Sequence, residues 1–255
     1  MTDYPEAIVP PGGTAPVPRR VRAMLDGRVV LDTRDAIYLW EFPPYPQYYL
    51  PLADVADGVL TDTGETKTFD HGVARVHTAG RGKAWVYDDG VAKDRVRFQW
   101  DALDSWFEED EEVFVHPRNP YARCDAIPST RHVQVTLDGA VLADSTSTVI
   151  VFETGLPPRY YFPRTTVNFE HLTPADTVTA CPYKGKTSAW WSAPTVPGVA
   201  WSYDFPTAAL LPIANHIAFF NENVDITIDG VYQERPVTPF SNPTARPTDG
   251  DVQKK

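Results

Sequence analysis

Polar and apolar residues alternate in short runs along this chain, and turns rich in glycine and proline separate the runs. Residues 132–137 alternate strictly and lead into Asp138 and Gly139, a pair that favours a two-residue hairpin turn. Residues 149–152 are continuously apolar, and residues 160–162 form a short apolar run bounded by prolines. These short runs, separated by turns, predict an all-β fold with minor helix.

Helical spacing is confined to two short segments. Residues 101–110 carry Leu103, Trp106 and Phe107 about one helical turn apart, and residues 206–211 are a weaker candidate. With 25 prolines and 15 glycines in the chain, we expect no long helix.

The strand pattern occurs twice, at an ungapped offset of 137 − 25 = 112 residues. Between residues 25–55 and 137–167, 11 of 31 positions are identical. The shared positions include Leu25-Asp26-Gly27 with Leu137-Asp138-Gly139, Glu41 with Glu153, and Tyr48-Tyr49 with Tyr160-Tyr161. The same offset places Phe107 over Phe219 and Asp104 over His216. A duplicated sequence predicts one fold used twice, so differences between the copies indicate where function lies.

The duplication and the composition together predict four segments. Residues 1–19 are expected to be a disordered proline-rich arm, and residues 236–255 a disordered tail. Residues 20–128 form the first, degenerate β domain, and residues 129–235 form the second β domain. We expect similar domains related by a pseudo-two-fold axis, in a monomer with this internal pseudo-symmetry or in a homodimer.

Composition and charge exclude several classes of function. The net charge of −11 argues against a nucleic-acid partner, since little basic surface is left to neutralise phosphates. No apolar run approaches the roughly 20 residues that span a bilayer, so no membrane association is expected. Two cysteines make no disulfide framework, and a cytoplasmic location is predicted. The sequence has no Cys or His residues at the spacing typical of a metal site, so no metal is predicted. It does not indicate which cofactor, if any, the protein uses.

The turn Cys-Pro-Tyr-Lys-Gly at 181–185 is the strongest chemical signal. Lys184 is close enough to lower the pKa of the Cys181 thiol and make it reactive. The alternative is that Cys181 is a small buried hydrophobe and Lys184 a surface charge. The first copy has residues 71–77 in the corresponding region, without Cys-Pro or Lys-Gly. A feature present in one copy favours function over a need of the fold.

Two further residues complete the candidate catalytic set of Glu153, Cys181, Lys184 and His216. Glu153 ends an apolar strand, where it could act as acid or base beside aromatic walls, or hold the following turn by hydrogen bonds. His216 lies in an apolar stretch, as a catalytic group or as a satisfied core residue. The predicted ligand-binding residues are Tyr161, Arg164, Trp190, Trp201 and Tyr203, whose aromatic members are typical either of a small-molecule pocket or of a core.

The motifs at 153–164, 181–185, 200–203 and 213–220 resemble the domain-of-unknown-function family 427, also labelled nucleotidyltransferase family 9. With residues 101–113 closing the first copy, the chain resembles tandem actinobacterial members over about residues 20–235. The resemblance implies small β-tent domains, similar in outline to methionine sulfoxide reductase B. The zinc-binding cysteine pairs of those relatives are missing, and Asn215 stands where the family usually has glycine. The metal-binding Asp-x-Asp motif of nucleotidyltransferases is also missing.

Two functions of different class follow. The first is a small-molecule-binding domain, with the candidate catalytic set as a hypothetical enzymatic site in the second repeat. The alternative is a non-catalytic structural or interaction module built as an internal pseudo-dimer. Convergence of Glu153, Lys184 and His216 in space favours the first, and their dispersal favours the second.

Overall fold

The computed structural model describes residues 9–242, which divide into two compact units at residues 119 and 120. Both units are built from antiparallel strands and short 3-10 turns. Among the described residues, no helix has the length and apolar character needed to cross a membrane. The predicted all-β class with minor helix is therefore confirmed.

The first repeat contains two antiparallel sheets. The seven-stranded sheet has the order β1-β4-β5-β9-β8-β7-β6, and the four-stranded sheet has the order β11-β10-β2-β3. The strands are β1 (Thr14–Pro16), β2 (Val21–Leu25), β3 (Arg28–Thr33), β4 (Ile37–Phe42), β5 (Tyr45–Pro51), β6 (Leu60–Phe69), β7 (Gly72–Ala79), β8 (Gly82–Tyr87), β9 (Arg95–Phe98), β10 (Ser105–Glu108) and β11 (Glu111–Val113). Three 3-10 turns lie at Leu52–Asp54, Gly90–Ala92 and Trp100–Ala102.

The second repeat has the same two sheets and one added hairpin. The sheet orders are β12-β15-β16-β22-β21-β20-β17 and β14-β13-β23-β24, and β18 pairs with β19. The strands are β12 (Cys124–Ser129), β13 (Val133–Leu137), β14 (Ala140–Ser145), β15 (Thr148–Glu153), β16 (Arg159–Pro163), β17 (Thr173–Ala175), β18 (Ala180–Cys181), β19 (Gly185–Lys186), β20 (Ala189–Ser192), β21 (Ala200–Ser202), β22 (His216–Phe219), β23 (Asp225–Ile228) and β24 (Val231–Gln233). The 3-10 turns lie at Arg164–Thr166, Phe169–His171 and Ala208–Ile213.

Equivalent strands occupy equivalent places in both repeats, down to local irregularities. The hairpin residues Asp26 and Asp138 have φ of 49° and 50°, and the glycines that follow are also in the left-handed region, as a type I′ turn requires. A bulge follows Ala23 in the first repeat and Val135 in the second. These features all keep the offset of 112, so the predicted duplication of one fold is confirmed.

Strand alternation divides each repeat's apolar residues between two clusters. In the first repeat, Tyr38 and Trp40 of β4 join the cluster that also contains residues of the four-stranded sheet, whereas Leu39 joins Tyr49 and Tyr87 on the opposite face. We call this opposite face the outer face of the seven-stranded sheet. The outer face of the second repeat is more extensively apolar, with ten buried members including Tyr161, Trp201 and Tyr203.

The helix predicted over residues 101–110 is wrong. A 3-10 turn covers Trp100–Ala102, and β10 then pairs with β2 and β11. Pairing on both sides of the strand outweighs the helical spacing of its apolar residues. The weaker candidate at 206–211 falls within the 3-10 turn Ala208–Ile213.

The sequence offset fails beyond residue 55, because the loops of the two repeats differ in length. The ladders place Trp85 with Trp201, an offset of 201 − 85 = 116, and Arg95 with His216, an offset of 216 − 95 = 121. The expected equivalences of His216 with Asp104 and of Phe219 with Phe107 are therefore wrong.

The described parts of both terminal segments are structured, contrary to the expected arm and tail. β1 pairs with β4 within residues 1–19, and β12 belongs to the second unit although it begins before residue 129. In the tail, the buried Thr238 hydroxyl donates a hydrogen bond to Glu222 over 2.7 Å. Residues 1–8 and 243–255 lie outside the described residues.

Candidate functional site

Three of the four predicted catalytic residues meet at one end of the second repeat. Glu153 is the last residue of β15, and Cys181 and Lys184 belong to the β18–β19 hairpin. The Lys184 ammonium forms an ion pair with the Glu153 carboxylate and lies 3.8 Å from the Cys181 sulfur. The side chains of Lys184 and Glu153 are only 11% and 16% exposed. Lys184 is therefore a buried cation with a counter-charge, and not the surface charge of the alternative interpretation.

The hairpin is held in place by the segment that precedes the 3-10 turn Ala208–Ile213. The Thr207 hydroxyl donates to the Tyr183 carbonyl over 2.5 Å, and the Thr207 N–H donates to the Lys184 carbonyl over 3.2 Å. Gly185 has φ of +95°, a conformation that side chains disfavour. The Cys-Pro-Tyr-Lys-Gly sequence therefore makes a fixed turn that directs Lys184 inwards.

Cys124 is a member of this cluster that the sequence analysis missed. It stands directly opposite Glu153 in the β12–β15 ladder, so the two side chains share a face of the sheet. Electrostatic interactions also couple Cys124 to Lys184 and to Cys181. Both cysteines of the chain thus gather around one ammonium, although 57 residues separate them (181 − 124 = 57).

The expected lowering of the Cys181 pKa is wrong. Burial raises the pKa of Cys181 and outweighs the opposing effect of Lys184. Burial likewise raises the pKa of Cys124 to about 12. Both groups are therefore thiols at neutral pH, and a thiol is a poor nucleophile.

Lys184 keeps its charge in spite of its burial. Burial alone would lower the pKa of Lys184, but the Glu153 carboxylate, joined by Cys181 once that thiol ionises at high pH, reverses this effect and holds the pKa well above its ordinary value. An ammonium has no free electron pair, so Lys184 can donate hydrogen bonds and attract anions but cannot attack a carbonyl at neutral pH.

Aromatic residues from three strands form the wall beside the ion pair. Tyr161, Trp190, Trp201 and Tyr203 share one buried cluster, and the rings of Trp190 and Trp201 are 5.5 Å apart. Tyr161 is fully buried, and its hydroxyl has no hydrogen-bond partner in acceptable geometry among the described residues, although the neighbouring Trp201 side chain opposes the effect of burial on its pKa. Burial raises its pKa to about 12, so this hydroxyl is an unused donor.

Two predicted site residues do not join this cluster. The His216 Nδ1 lies 2.9 Å from the Ala214 carbonyl oxygen, a local contact within its own turn. The Arg164 guanidinium lies over the rings of Phe169 and Trp191, at 5.8 and 5.2 Å. Trp191 belongs to the cluster between the sheets, not to the one around Tyr161.

The first repeat has an equivalent cluster, of which the sequence predicted Glu41 and Tyr49, in a cleft expected to be closed or inert, but not Tyr87 or His71. Glu41, Tyr49 and Tyr87 occupy the positions of Glu153, Tyr161 and Tyr203, the last of which directly follows β21. His71 lies in the turn between β6 and β7, where the second repeat has the hairpin of Lys184. Each copy contains a further tyrosine, Tyr87 or Tyr203, that belongs to this cluster. These two tyrosines are 116 residues apart (203 − 87 = 116), so the offset of 112 does not align them.

Hydrogen bonds connect the first-repeat cluster throughout. The Tyr49 hydroxyl donates to Glu41 over 2.9 Å and lies 2.6 Å from the His71 Nε2. The Tyr87 hydroxyl is 3.0 Å from the same nitrogen, and the Arg97 Nε is 2.9 Å from the Glu41 carboxylate. Burial lowers the pKa of His71. This network links a carboxylate, two phenols and an imidazole.

Two cavities lie in other parts of the first repeat. One of about 610 Å³ is bordered by segments 25–30, 56–61 and 78–80, and one of about 510 Å³ by segments 51–53 and 93–95. Neither is lined by Glu153, Cys181 or Lys184. Among residues 9–242, no group of three His, Cys, Asp or Glu side chains is arranged to hold a metal ion.

These features define a tandem all-β protein whose two repeats carry a titratable cluster at the same place in the fold. The family model of the domain of unknown function DUF427 matches residues 14–109 and 125–230, one match for each repeat. The chain therefore belongs to the DUF427 family, and the resemblance found in its sequence is confirmed. None of the curated proteins compared with the chain matches it.

Proposed function

We propose that the second repeat binds a small polar molecule at the cluster of Glu153, Lys184 and Tyr161. The observation that carries this proposal is the buried Tyr161 hydroxyl, a donor without a partner beside a charged ammonium. Leaving a buried donor unpaired costs about 1–3 kcal/mol, so such a group calls for a ligand atom or a water. The matching ligand group is a hydrogen-bond acceptor such as a carbonyl or carboxylate oxygen.

The protonation states favour binding over covalent catalysis. Both thiols and the Lys184 amine hold their protons at neutral pH, so none of them is a ready nucleophile. The same protons make good hydrogen-bond donors, and Lys184 adds a fixed positive charge. The cluster is therefore suited to recognising an acceptor, with Trp190 and Trp201 as apolar walls.

The test is a thermal-shift screen of a metabolite library with the full chain. A ligand at 100 times its dissociation constant stabilises the folded state by about 2.7 kcal/mol. Tyr161→Phe removes only the unpaired hydroxyl, so we expect a folded variant with a reduced ligand response. Glu153→Gln should also reduce the response, and the matched first-repeat variants Tyr49→Phe and Glu41→Gln should keep it. A screen in which every stabilising ligand keeps its full effect in Tyr161→Phe and Glu153→Gln would refute the assignment.

A non-catalytic structural or interaction module is the second candidate, and the burial of the Glu153–Lys184 pair favours it. In that case the pair serves to anchor the β18–β19 hairpin to the end of β15. Replacing both partners by apolar residues of similar size, in Glu153→Leu/Lys184→Met, should then preserve or raise stability. A screen without any ligand, together with this stability result, would support the module.

A further inference from the structure

We propose that the first repeat carries a separate ligand site, on the outer face of its seven-stranded sheet, which takes a small planar acid such as an aromatic carboxylate. This site does not depend on the function proposed for the second repeat. It is built from side chains that form a closed circuit of contacts around the buried Tyr87.

The circuit joins charged and aromatic groups in turn. Arg97 is paired with Glu41, and its guanidinium lies 4.6 Å from the centre of the Trp85 ring. Trp85 and Phe69 meet edge to face, with centroids 6.1 Å apart, and Phe69 stacks on His71 at 5.4 Å. The hydrogen bonds of Tyr49 to His71 and Glu41 complete the circuit.

The floor of this circuit is buried and its rim is open to solvent. Tyr49 and Tyr87 are 0% and 1% exposed. Phe69, His71, Trp85 and Arg97 are only partly buried. The rim of the circuit is therefore in contact with solvent, where a small ligand can approach it.

Lys67 supplies the charge that selects an acid. Its ammonium lies 4.8 Å from the centre of the Phe69 ring and 5.9 Å from that of Trp85. Among the described residues, no carboxylate lies within ion-pair distance of Lys67, whereas Arg97 is already neutralised by Glu41. An unpaired ammonium held at two rings can pair with a carboxylate while the ligand ring packs against Phe69 and Trp85.

The second repeat lacks the means to form this site. Ala218 takes the place of Arg97, and β17 has three residues where β6 has ten, so no strand presents a counterpart of Lys67. Trp201, the equivalent of Trp85, is 7% exposed, and the Arg159 guanidinium lies 5.5 Å from its ring centre. The equivalent face is thus a matched internal control.

The experiment is a titration of the full chain with benzoate, followed by the indole N–H signals in two-dimensional NMR. The Trp85 signal is assigned from the spectrum of Trp85→Phe, and the Trp201 signal from that of Trp201→Phe. Acetate tests the charge without the ring, and benzyl alcohol tests the ring without the charge. We expect a saturable shift of the Trp85 signal with benzoate below about 20 mM, and a weaker response to both control compounds.

Variants then test the role of Lys67. Lys67→Gln should weaken benzoate binding about three- to fivefold, the effect of losing one exposed ion pair. Lys186→Gln, which removes an exposed lysine from the second repeat, should leave binding unchanged, as should Tyr161→Phe. Unchanged affinity in Lys67→Gln, equal shifts with acetate, or a shift of Trp201 in place of Trp85 would each overturn the proposal. The absence of any saturable shift would do so as well.

Discussion

The two repeats place a glutamate and two tyrosines at the same positions on the outer face of their larger sheets, yet surround them differently. In the first repeat, the Tyr49 hydroxyl is bonded to Glu41 and His71. In the second repeat, the Tyr161 hydroxyl has no partner in hydrogen-bond geometry among the described residues, and Lys184 forms a largely buried ion pair with Glu153. Both repeats therefore keep the glutamate and the two tyrosines, whereas the residues around them differ.

A few differences account for this contrast. Arg97 of the first repeat is replaced by Ala218, which removes a charge from the sheet face. The apolar residues Leu210 and Ile213, from the 3-10 turn Ala208–Ile213, pack into the second cluster. One repeat consequently has a partly open hydrogen-bonded network, and the other has a buried ion pair. Similar residues therefore make different contacts because the groups around them differ.

Loss of the lysine in the second ion pair should have the largest effect on stability. Lys184→Met leaves the Glu153 carboxylate buried without a counter-charge, which should lower the free energy of unfolding by about 3–5 kcal/mol. The matched change Arg97→Met acts on a pair whose side chains are 19% and 25% exposed, so we expect a smaller loss, about 1–2 kcal/mol. Urea unfolding of both variants measures the difference. Equal losses would contradict the contrast in burial between the repeats.

The alkylation rates of the two cysteines should reveal the burial of the second cluster. Because burial raises the pKa of Cys124 to about 12, its thiolate fraction at pH 8 should be about a thousandfold below that of an ordinary thiol. The rate of native-state alkylation should therefore keep rising through pH 9 and 10, with no plateau near neutrality. Single Cys124→Ala and Cys181→Ala variants separate the two rates. Fast reaction of Cys181 at pH 7 would instead show that Lys184 activates this thiol.

The paired tyrosine variants should give the smallest but most direct comparison. Tyr49→Phe removes a hydroxyl that bonds Glu41 and His71, and we expect a loss of about 1–2 kcal/mol. Tyr161→Phe removes a buried hydroxyl without a partner, so stability should stay the same or rise. Thermal unfolding of both variants at one protein concentration is sufficient. A similar loss in Tyr161→Phe would show that its hydroxyl is satisfied in solution, for example by a bound water.

Local patterns in the chain were sufficient to predict a duplicated all-β fold. Hairpin signals such as Asp26-Gly27 and Asp138-Gly139 act through the φ of one or two residues, so they are readable locally. Alternation likewise placed Glu153 and Tyr161 on strands, and the turn at 181–185 was correctly singled out. Together these signals placed Glu153, Cys181 and Lys184 in one candidate site without any information on their contacts.

Which groups meet, and what charge they carry, depends on the assembled sheets. Cys124 lies opposite Glu153 through a strand pairing that no local pattern indicates, and His216 and Arg164 turn to other partners. The equivalence of Tyr87 with Tyr203 was hidden by unequal loops, and β10 became a strand because its neighbours pair with it. The pKa of Cys181 rose because burial, a property of the assembled sheet, outweighs the nearby ammonium. Pairing, burial and electrostatic coupling depend on residues far apart in the chain, and for this reason a local pattern cannot fix them.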